Sequence, residues 1–372
     1  MTNKNILILG GTGAMGTPLV ELLSDKYHVW VTSRQKHDDK ENVSFILGNA
    51  HDIIFLRQVC AMNTWDAIID FMNRNVSESQ LVFPLLLSHT NQYVFISSAR
   101  VYAETDSEIT ENTPRLLDVS SDSVFLKTNE YSLAKAREED LLMNGSYKNY
   151  TIIRPSITFN NHRLQLGALE KEGWLYRAIQ GRSIVFSEDM KDKLTTVTWG
   201  YDVASGIAAI VGQSKALGEV FNITNNRSFT WQQILDVYIH TLEKLLHKNI
   251  NVVWTEKSTS FKQRNQYYRL VYCRLFNRTF NNTKINQYVD TALFHEPLER
   301  LSYCLERFME RPHFKTIDWS LEGINDRVAN ERTPLNEIPN IKMKLLYLGN
   351  RYNIKSLNWL LFKIIKIRKQ HH

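Results

Sequence analysis

The sequence predicts an α/β fold built on a doubly wound parallel sheet, and three observations carry that prediction. Short apolar runs alternate with helix-period segments from the N-terminus to about residue 155. Glycines cluster where the first apolar run gives way to the first helical segment. The composition, 43% hydrophobic and 23% charged with 15 Gly and 8 Pro in 372 residues, is that of a folded chain whose core needs neither metals nor cross-links. Disordered, collagen-like and disulfide-scaffold classes are excluded.

Taken in order, Asn5–Leu9 reads as a buried strand, Ala14–Leu23 as a helix, and His28–Thr32 and Val43–Leu47 as the second and third strands. Ile53–Cys60 has helical spacing, Asp66–Asp70 is a fourth strand, Val76–Ser88 a helix and Tyr93–Ser97 a fifth strand. Glu130–Met143 follows as a helix, and Tyr150–Arg154 as a sixth strand that ends at Pro155. Strand-helix units with short connections give a parallel order, and such sheets bind ligands at the carboxyl ends of their strands. Past Pro155 the alternation stops. The stretch from Asn160 to Lys193 is mixed and rich in hydrogen-bonding side chains, and Val197–Val211 and Glu219–Thr224 return to helix and strand. The expected organisation is a dinucleotide-binding domain over 1–155, completed by about 195–225. A smaller mixed α/β substrate domain takes 156–194 and 226–340, and a basic amphipathic tail takes 341–372.

The formal charge of +6 is unevenly placed. Lys342, Lys344, Arg351, Lys355, Lys363, Lys366, Arg368 and Lys369 fall in a tail without Asp or Glu, and the rest of the chain is slightly acidic. By charge, nucleic acid is not an expected partner of the body. If Ile354–Lys369 is helical, Ile354, Leu357, Leu361, Ile364 and Ile365 form a stripe opposite the lysines. That stripe docks on the body or on a second subunit of a homodimer, or it lies peripherally on an anionic membrane surface such as the inner membrane. Cys60, Cys273 and Cys304 fit neither a disulfide framework nor a zinc site, and His51, His162 and His295 are isolated, so no metal is expected. The first ten residues are too short an apolar stretch for a signal peptide, and no later run approaches ~20 apolar residues; a cytoplasmic location is expected.

Gly10-Gly11-Thr12-Gly13-Ala14-Met15-Gly16 links the first strand to the first helix. Glycines there let the backbone turn tightly and approach a pyrophosphate, whose charge meets the N–H groups at the helix start. Gly10, Thr12, Gly13, Ala14, Met15 and Gly16 are the expected cofactor-binding turn, and the fold is then Rossmann-type. At the end of the second strand a carboxylate would hold the ribose hydroxyls of NAD, but the sequence places Ser33, Arg34 and Lys36 there. These suit the 2′-phosphate of NADP, with NAD as the alternative and Arg34 then stacked on adenine. Asn49, with Ala50, follows the third strand and is placed for the adenine edge.

Tyr131 and Lys135 lie four apart, on one helix face. A neighbouring cation favours the charged phenolate, so a tyrosine so placed exchanges a proton as hydride leaves or joins the adjacent carbon. Ser98, at the end of the fifth strand, supplies a hydroxyl that polarises the same substrate oxygen.

The glycine turn, Ile96-Ser-Ser-Ala-Arg-Val-Tyr102, Tyr131-x-x-x-Lys135 and Ile153-Arg-Pro155 together resemble the extended short-chain dehydrogenase/reductases, the NAD-dependent epimerase/dehydratase family that modifies nucleotide-activated sugars. The resemblance covers about residues 4–225, and Ile317–Gly323 looks like the family's closing helix. It implies that Ser98, Tyr131 and Lys135 form a catalytic triad, with Lys135 and Tyr131 also at the nicotinamide end of the cofactor. The family's dehydratases carry an Asp-Glu pair after the catalytic hydroxyl, and its decarboxylases a Glu. Here Ala99-Arg100 stands there, and the Cys of 3,5-epimerases is absent as well. What remains is 4-epimerisation or 4-keto reduction of a nucleotide-linked sugar, expected to supply a surface polysaccharide precursor. The alternatives are a reductase of a non-sugar carbonyl and a non-catalytic NADP- or RNA-binding module.

Substrate contacts are expected from Ser98, from Arg163 and Gln165 beyond the Arg-Pro strand, and from Arg264 and Arg269 in a basic stretch over 256–284. There the arginines either clamp a diphosphate or form a solvated basic face.

Overall fold

The computed structural model describes residues 4–260 and 266–354. Arg264 and residues 355–372, which hold most of the expected amphipathic helix, lie outside the described residues.

Ile6 and Ile8 enter the core on one face of the first strand, and Leu7 and Leu9 enter the core on the other; none is more than 1% exposed. A strand buried on both faces needs a continuous apolar run rather than an alternating one, and the first strand has it. The strands of the main sheet are β1 (Asn5–Leu9), β2 (His28–Ser33), β3 (Val43–Leu47), β4 (Ala67–Asp70), β5 (Tyr93–Ile96), β6 (Tyr150–Pro155) and β7 (Glu219–Ile223). They form one parallel sheet in the order β7-β6-β5-β4-β1-β2-β3. Leu9 is level with Thr32 on one side and Asp70 on the other. The chain order reverses between β1 and β4, so a crevice for a ligand opens at the carboxyl ends of these strands.

Helices α1 (Gly16–Ser24), α2 (Ile53–Met62), α3 (Val76–Ser88) and α4 (Tyr131–Met143) follow in chain order, then α5 (Lys171–Ile179) and α6 (Gly200–Ile210). Leu19 and Leu23 of α1 and Val203, Ile207 and Ile210 of α6 cover the face of Ile6 and Ile8. Leu56 and Val59 of α2, Val82, Phe83 and Leu86 of α3 and Leu142 of α4 cover the opposite face. Local signals start these helices. The Asp52 carboxylate accepts the Ile54 N–H at 2.8 Å, and Asn75 and Glu78 form a reciprocal capping box on α3. Glu130 is the cap of α4 rather than its first residue, its side chain accepting the Ser132 N–H at 2.7 Å. α1 begins at Gly16, two residues later than its periodicity predicts, because the glycine turn runs on to Met15.

The chain divides into two units, the first formed by residues up to His162 with 194–229 and 276–300, the second by 163–193, 230–275 and 301 onward. Residues 276–300, expected with the substrate domain, therefore cluster with the first unit, where Ile285 packs into the α1–α6 face of the sheet. The longer helices further along the chain are α7 (Trp231–Leu246), α8 (Pro297–Glu310), α9 (Trp319–Ala329) and α10 (Ile341–Arg351). In the second unit, Arg177 of α5 is fully buried and pairs with Glu322 and Asp326 of α9 at 2.7 and 2.8 Å and with Glu331 at 2.8 Å. Gly323 lets α9 and α10 touch: a Cβ there would lie 2.4 Å from the Tyr347 carbonyl oxygen. The start of the basic tail, with Lys342, Lys344 and Arg351, is thus a helix packed on α9. Among the described residues no helix is long and apolar enough to cross a membrane.

Candidate active site

The glycine turn closes on itself through backbone. Gly10 has φ +73°, a conformation that strains residues with a side chain. A Cβ on Gly16 would lie 2.6 Å from the Gly11 carbonyl group, and one on Gly200, which opens α6, 2.4 Å from the Ala14 oxygen. Gly13 is the opposite case: a Cβ built there meets nothing within 4 Å. The turn is therefore held on its inner side and open at Gly13, and Met15, the cap residue of α1, gives that helix start no side-chain hydrogen bond. An open backbone approach in front of an uncapped helix start fits the pyrophosphate of a dinucleotide. Gly10 N–H donates to Thr32 Oγ1 at 3.2 Å, fixing the turn to the end of β2.

At the end of β2, Ser33 Oγ accepts the Gln35 N–H at 3.1 Å and lies 3.1 Å from His37 Nε2. Arg34 and Lys36 are exposed beside it. Asn49 Oδ1 accepts the His51 N–H at 3.2 Å, which shapes the loop after β3. The carbonyl of Ala50, the next residue, accepts from Arg74 Nη2 at 2.9 Å. Arg74 is buried, forms a hydrogen-bonded ion pair with Asp70 at the end of β4, and shares Asp70 with the Tyr93 hydroxyl at 2.8 Å. Burial pushes the Tyr93 phenol well above its usual range, with Asp70 adding to it, so Tyr93 is a donor and no acid. Arg74 ties the loop expected to meet adenine to the sheet. The only sequence signal for it was an acid and a base four apart after β4.

Ser98 stands just past β5 and caps a single 3-10 turn over Ala99–Val101, its Oγ accepting the Arg100 N–H at 3.2 Å. That turn packs on α4, which carries Tyr131 at its first position and Lys135 one turn on. Tyr131 is 37% exposed, as a group that meets a substrate must be, whereas Lys135 is 3% exposed. The Lys135 ammonium lies 3.0 Å from Glu138 Oε2 and 4.5 Å from the centre of the Phe95 ring. Glu138 in turn accepts from the Ser79 hydroxyl of α3. The Arg100 guanidinium sits 5.0 Å from the Tyr131 ring centre and pairs with Glu130. The three expected triad residues thus come from two adjoining segments at one end of the sheet.

A second buried network fixes the Ser98 segment from below. Arg154 of β6 binds both carboxylate oxygens of Glu139, at 2.8 and 2.7 Å, and Ser97 Oγ donates to the same carboxylate at 2.6 Å. Arg154 also donates to the Tyr102 hydroxyl at 2.9 Å, which donates to Asn222 at 2.7 Å. Burial pushes Tyr102 up to about 12 in spite of Arg154, so it too works as a neutral relay. Neither Glu138 nor Glu139 was singled out from sequence, because α4 offers adjacent acids with no pattern to assign them.

The second unit holds the other expected substrate contacts. Gln165 is buried and bonds Glu170, and Arg269 pairs with Glu170 at 3.2 Å. Arg274 donates to the Gly167 carbonyl at 2.9 Å. Arg163 is exposed. Within this unit lies a partly open cavity whose walls include Leu169, Phe186, Met190, Leu270 and Leu321. Asn325 lines it as well, 2% exposed and with its Nδ2 lacking a hydrogen-bond partner.

An open glycine turn at a strand-order reversal, with a tyrosine and a buried lysine one helical turn apart beside a serine, fits a Rossmann-type fold of the kind that binds a dinucleotide. Residues 6–224 match the model of the NAD dependent epimerase/dehydratase family. The chain belongs to that family. It is 24% identical over 248 residues to a chloroplast stem-loop binding protein of 41 kDa from Arabidopsis thaliana, covering 62% of this chain and 61% of that one. The chain therefore spans less than two thirds of that relative's length. Among solved structures it resembles dTDP-glucose 4,6-dehydratase from Bacillus anthracis in complex with NAD, at TM-score 0.62 and 18% identity over 83% of this chain and 97% of that one. It also resembles UDP-N-acetylglucosamine 4-epimerase from Methanobrevibacter ruminantium in complex with UDP-N-acetylmuramic acid, at TM-score 0.62 and 16% identity over 84% and 100%. At these identities the structural likenesses establish the fold.

Proposed function

We propose that the chain transfers a hydride at C4 of a nucleotide-linked sugar, as a 4-epimerase or a 4-keto reductase. The observation that carries this reading is the joining of Ser98 and Tyr131 through the Ala99–Val101 turn, with the Lys135 ammonium buried behind them. NAD or NADP, held by the glycine turn and by Lys135, supplies the acceptor and donor of hydride. Tyr131 gives or takes the proton of the sugar hydroxyl, and Ser98 Oγ holds the same oxygen in place. Lys135 keeps a positive charge beside the phenol. At the position where an elimination enzyme needs a carboxyl group, this chain carries the Arg100 guanidinium, which pairs with Glu130. That favours hydride chemistry alone.

Arg34 and Lys36, exposed beside Ser33, support NADP over NAD and so a reductase. The cavity in the second unit, apolar with one unpaired amide donor, suits the ring and carbonyl of a nucleobase. A role in supplying a surface polysaccharide precursor, cytoplasmic placement and a homodimer belong to the same reading. The test is incubation with a panel of nucleotide sugars and 4-keto sugars while NADPH absorbance is followed. Consumption identifies a reductase, isomerised product without consumption an epimerase, and absence of both defeats the proposal.

A second reading, a module that binds structured RNA on this fold, draws support from the name of the chloroplast relative. Retained cofactor binding with no turnover and a stem-loop RNA shifted in a gel would favour it.

A further inference from the structure

Ser98 and Tyr131 belong to different segments, and a proton relay between them works only if both are held in one geometry. Arg100 touches both. Its main-chain N–H donates to Ser98 Oγ at 3.2 Å, and its guanidinium lies over the Tyr131 ring at 5.0 Å from the centre. The guanidinium is itself anchored by Glu130, the residue before Tyr131. The second carboxylate oxygen of Glu130 accepts the Ser132 N–H at 2.7 Å and the Ser132 hydroxyl, so the anchor is built into the first turn of α4. The Arg100 and Glu130 side chains are 18% and 14% exposed, which sets this pair apart from a solvated surface bridge that solvent would screen. Arg100 Nε is buried without a hydrogen-bond partner, so the side chain accepts an unsatisfied donor in order to stand where it does.

We infer that Arg100 is a positioning residue for the proposed proton exchange: clamped by Glu130, its planar guanidinium holds the Tyr131 ring in one rotamer against the Ser98 hydroxyl. A flat, delocalised cation stacks on an aromatic face as an ammonium does not. Tyr131, more than a third exposed, needs such a wall, since an exposed side chain otherwise exchanges rotamers on a nanosecond scale. The inference rests on the hydride-transfer reading only for its kinetic arm.

The test places 3-fluorotyrosine at position 131 of the full chain and records its ¹⁹F spectrum without substrate, beside kinetics on whichever nucleotide sugar is turned over. The unaltered chain is expected to give a line as wide as the tumbling of the whole protein dictates, because the ring is held. Arg100→Met, which keeps the aliphatic stem, is expected to narrow it, because nanosecond rotamer exchange averages the shift, and to lower kcat roughly ten- to a hundred-fold with the cofactor KM unchanged. Arg100→Lys is expected to restore little of either, because it keeps the charge and loses the plane. Glu130→Gln, which keeps a cap acceptor and weakens the anchor, gives a smaller narrowing and covers the case in which Arg100→Met does not fold. An unchanged linewidth in Arg100→Met, or in Arg100→Lys and Glu130→Gln together, overturns the inference. So does an unchanged linewidth with a raised sugar KM, which would make Arg100 a substrate contact. If no nucleotide sugar is turned over while the line still narrows, the functional proposal fails and the positioning role stands.

Discussion

The Lys135 ammonium and the Glu138 carboxylate lie 3.0 Å apart, and both side chains are buried. They sit three residues apart on α4, on the face turned to the sheet and α3, where Phe95 covers the ammonium and Ser79 donates to the carboxylate. The site thus carries its cation together with a counter-ion. With the neighbouring Asp70–Arg74 pair this makes two buried charges of each sign under the expected cofactor site. Breaking a buried pair leaves one charge uncompensated, which costs far more than replacing both partners by apolar groups.

Glu138→Gln is therefore expected to lower folding stability by about 3–5 kcal/mol. The double variant Lys135→Met with Glu138→Leu is expected to recover most of that loss while binding the cofactor poorly. Urea midpoints of Glu138→Gln, of Lys135→Met and Glu138→Leu made singly, and of the double variant check this. Additive losses would mean that the two groups do not depend on each other.

Tyr131→Phe removes one hydroxyl from an exposed position and touches no core contact. The expected outcome is a loss of roughly 10²–10⁴-fold in turnover with cofactor affinity and melting temperature unchanged. Fluorescence titration with the cofactor, beside the NADPH assay, separates the two effects. Turnover that survives the change would remove Tyr131 from the chemistry.

What the sequence made legible was local. Asn5–Leu9 declares a doubly buried strand by its unbroken apolar run, and the glycine turn and Tyr131–Lys135 are defined within a few residues of themselves. The supports of the site were not legible, because each depends on a partner brought close by the sheet. Glu138 meets Ser79 across 59 positions, Arg74 meets the Ala50 carbonyl across 24, and Ser97 meets the Glu139 carboxylate of α4 across 42. Residues 276–300 cluster with the first unit rather than with their neighbours in the chain, because Ile285 packs into a core that no local pattern announces. No sequence pattern marks Asn325, whose amide stands without a partner only once the fold places it on the cavity wall.

Arg34 offers a direct test of cofactor choice. A charge-assisted hydrogen bond to a 2′-phosphate contributes about 1.5–3 kcal/mol, so Arg34→Ala is expected to reduce the preference for NADPH over NADH by roughly ten- to a hundred-fold. Parallel Kd measurements for both cofactors suffice. Equal weakening of the two would assign Arg34 to adenine stacking and make NAD the cofactor of choice.

Asp326 gives the second unit a pH signature. Burial raises its carboxyl, but the Tyr347 hydroxyl at 2.7 Å, Arg177 at 2.8 Å and Thr333 outweigh burial and hold it below the ordinary range. A carboxyl depressed in the folded state contributes stability that is complete above its unfolded value, near 3.9, and is lost as the pH falls through its lower folded value. Glu322, beside it, runs the other way: burial raises it by more than Arg177 and Arg182 lower it. The wild-type curve alone mixes the two, so the difference between wild type and Asp326→Asn is the quantity to follow. With Arg177 left short of one carboxylate, Asp326→Asn is expected to cost about 3–5 kcal/mol at neutral pH. The difference in melting temperature should hold steady down to about pH 4 and then narrow with further acidification. A difference that is flat to pH 2, or that widens on acidification, would show that Asp326 does not hold its charge against Arg177 in the folded chain.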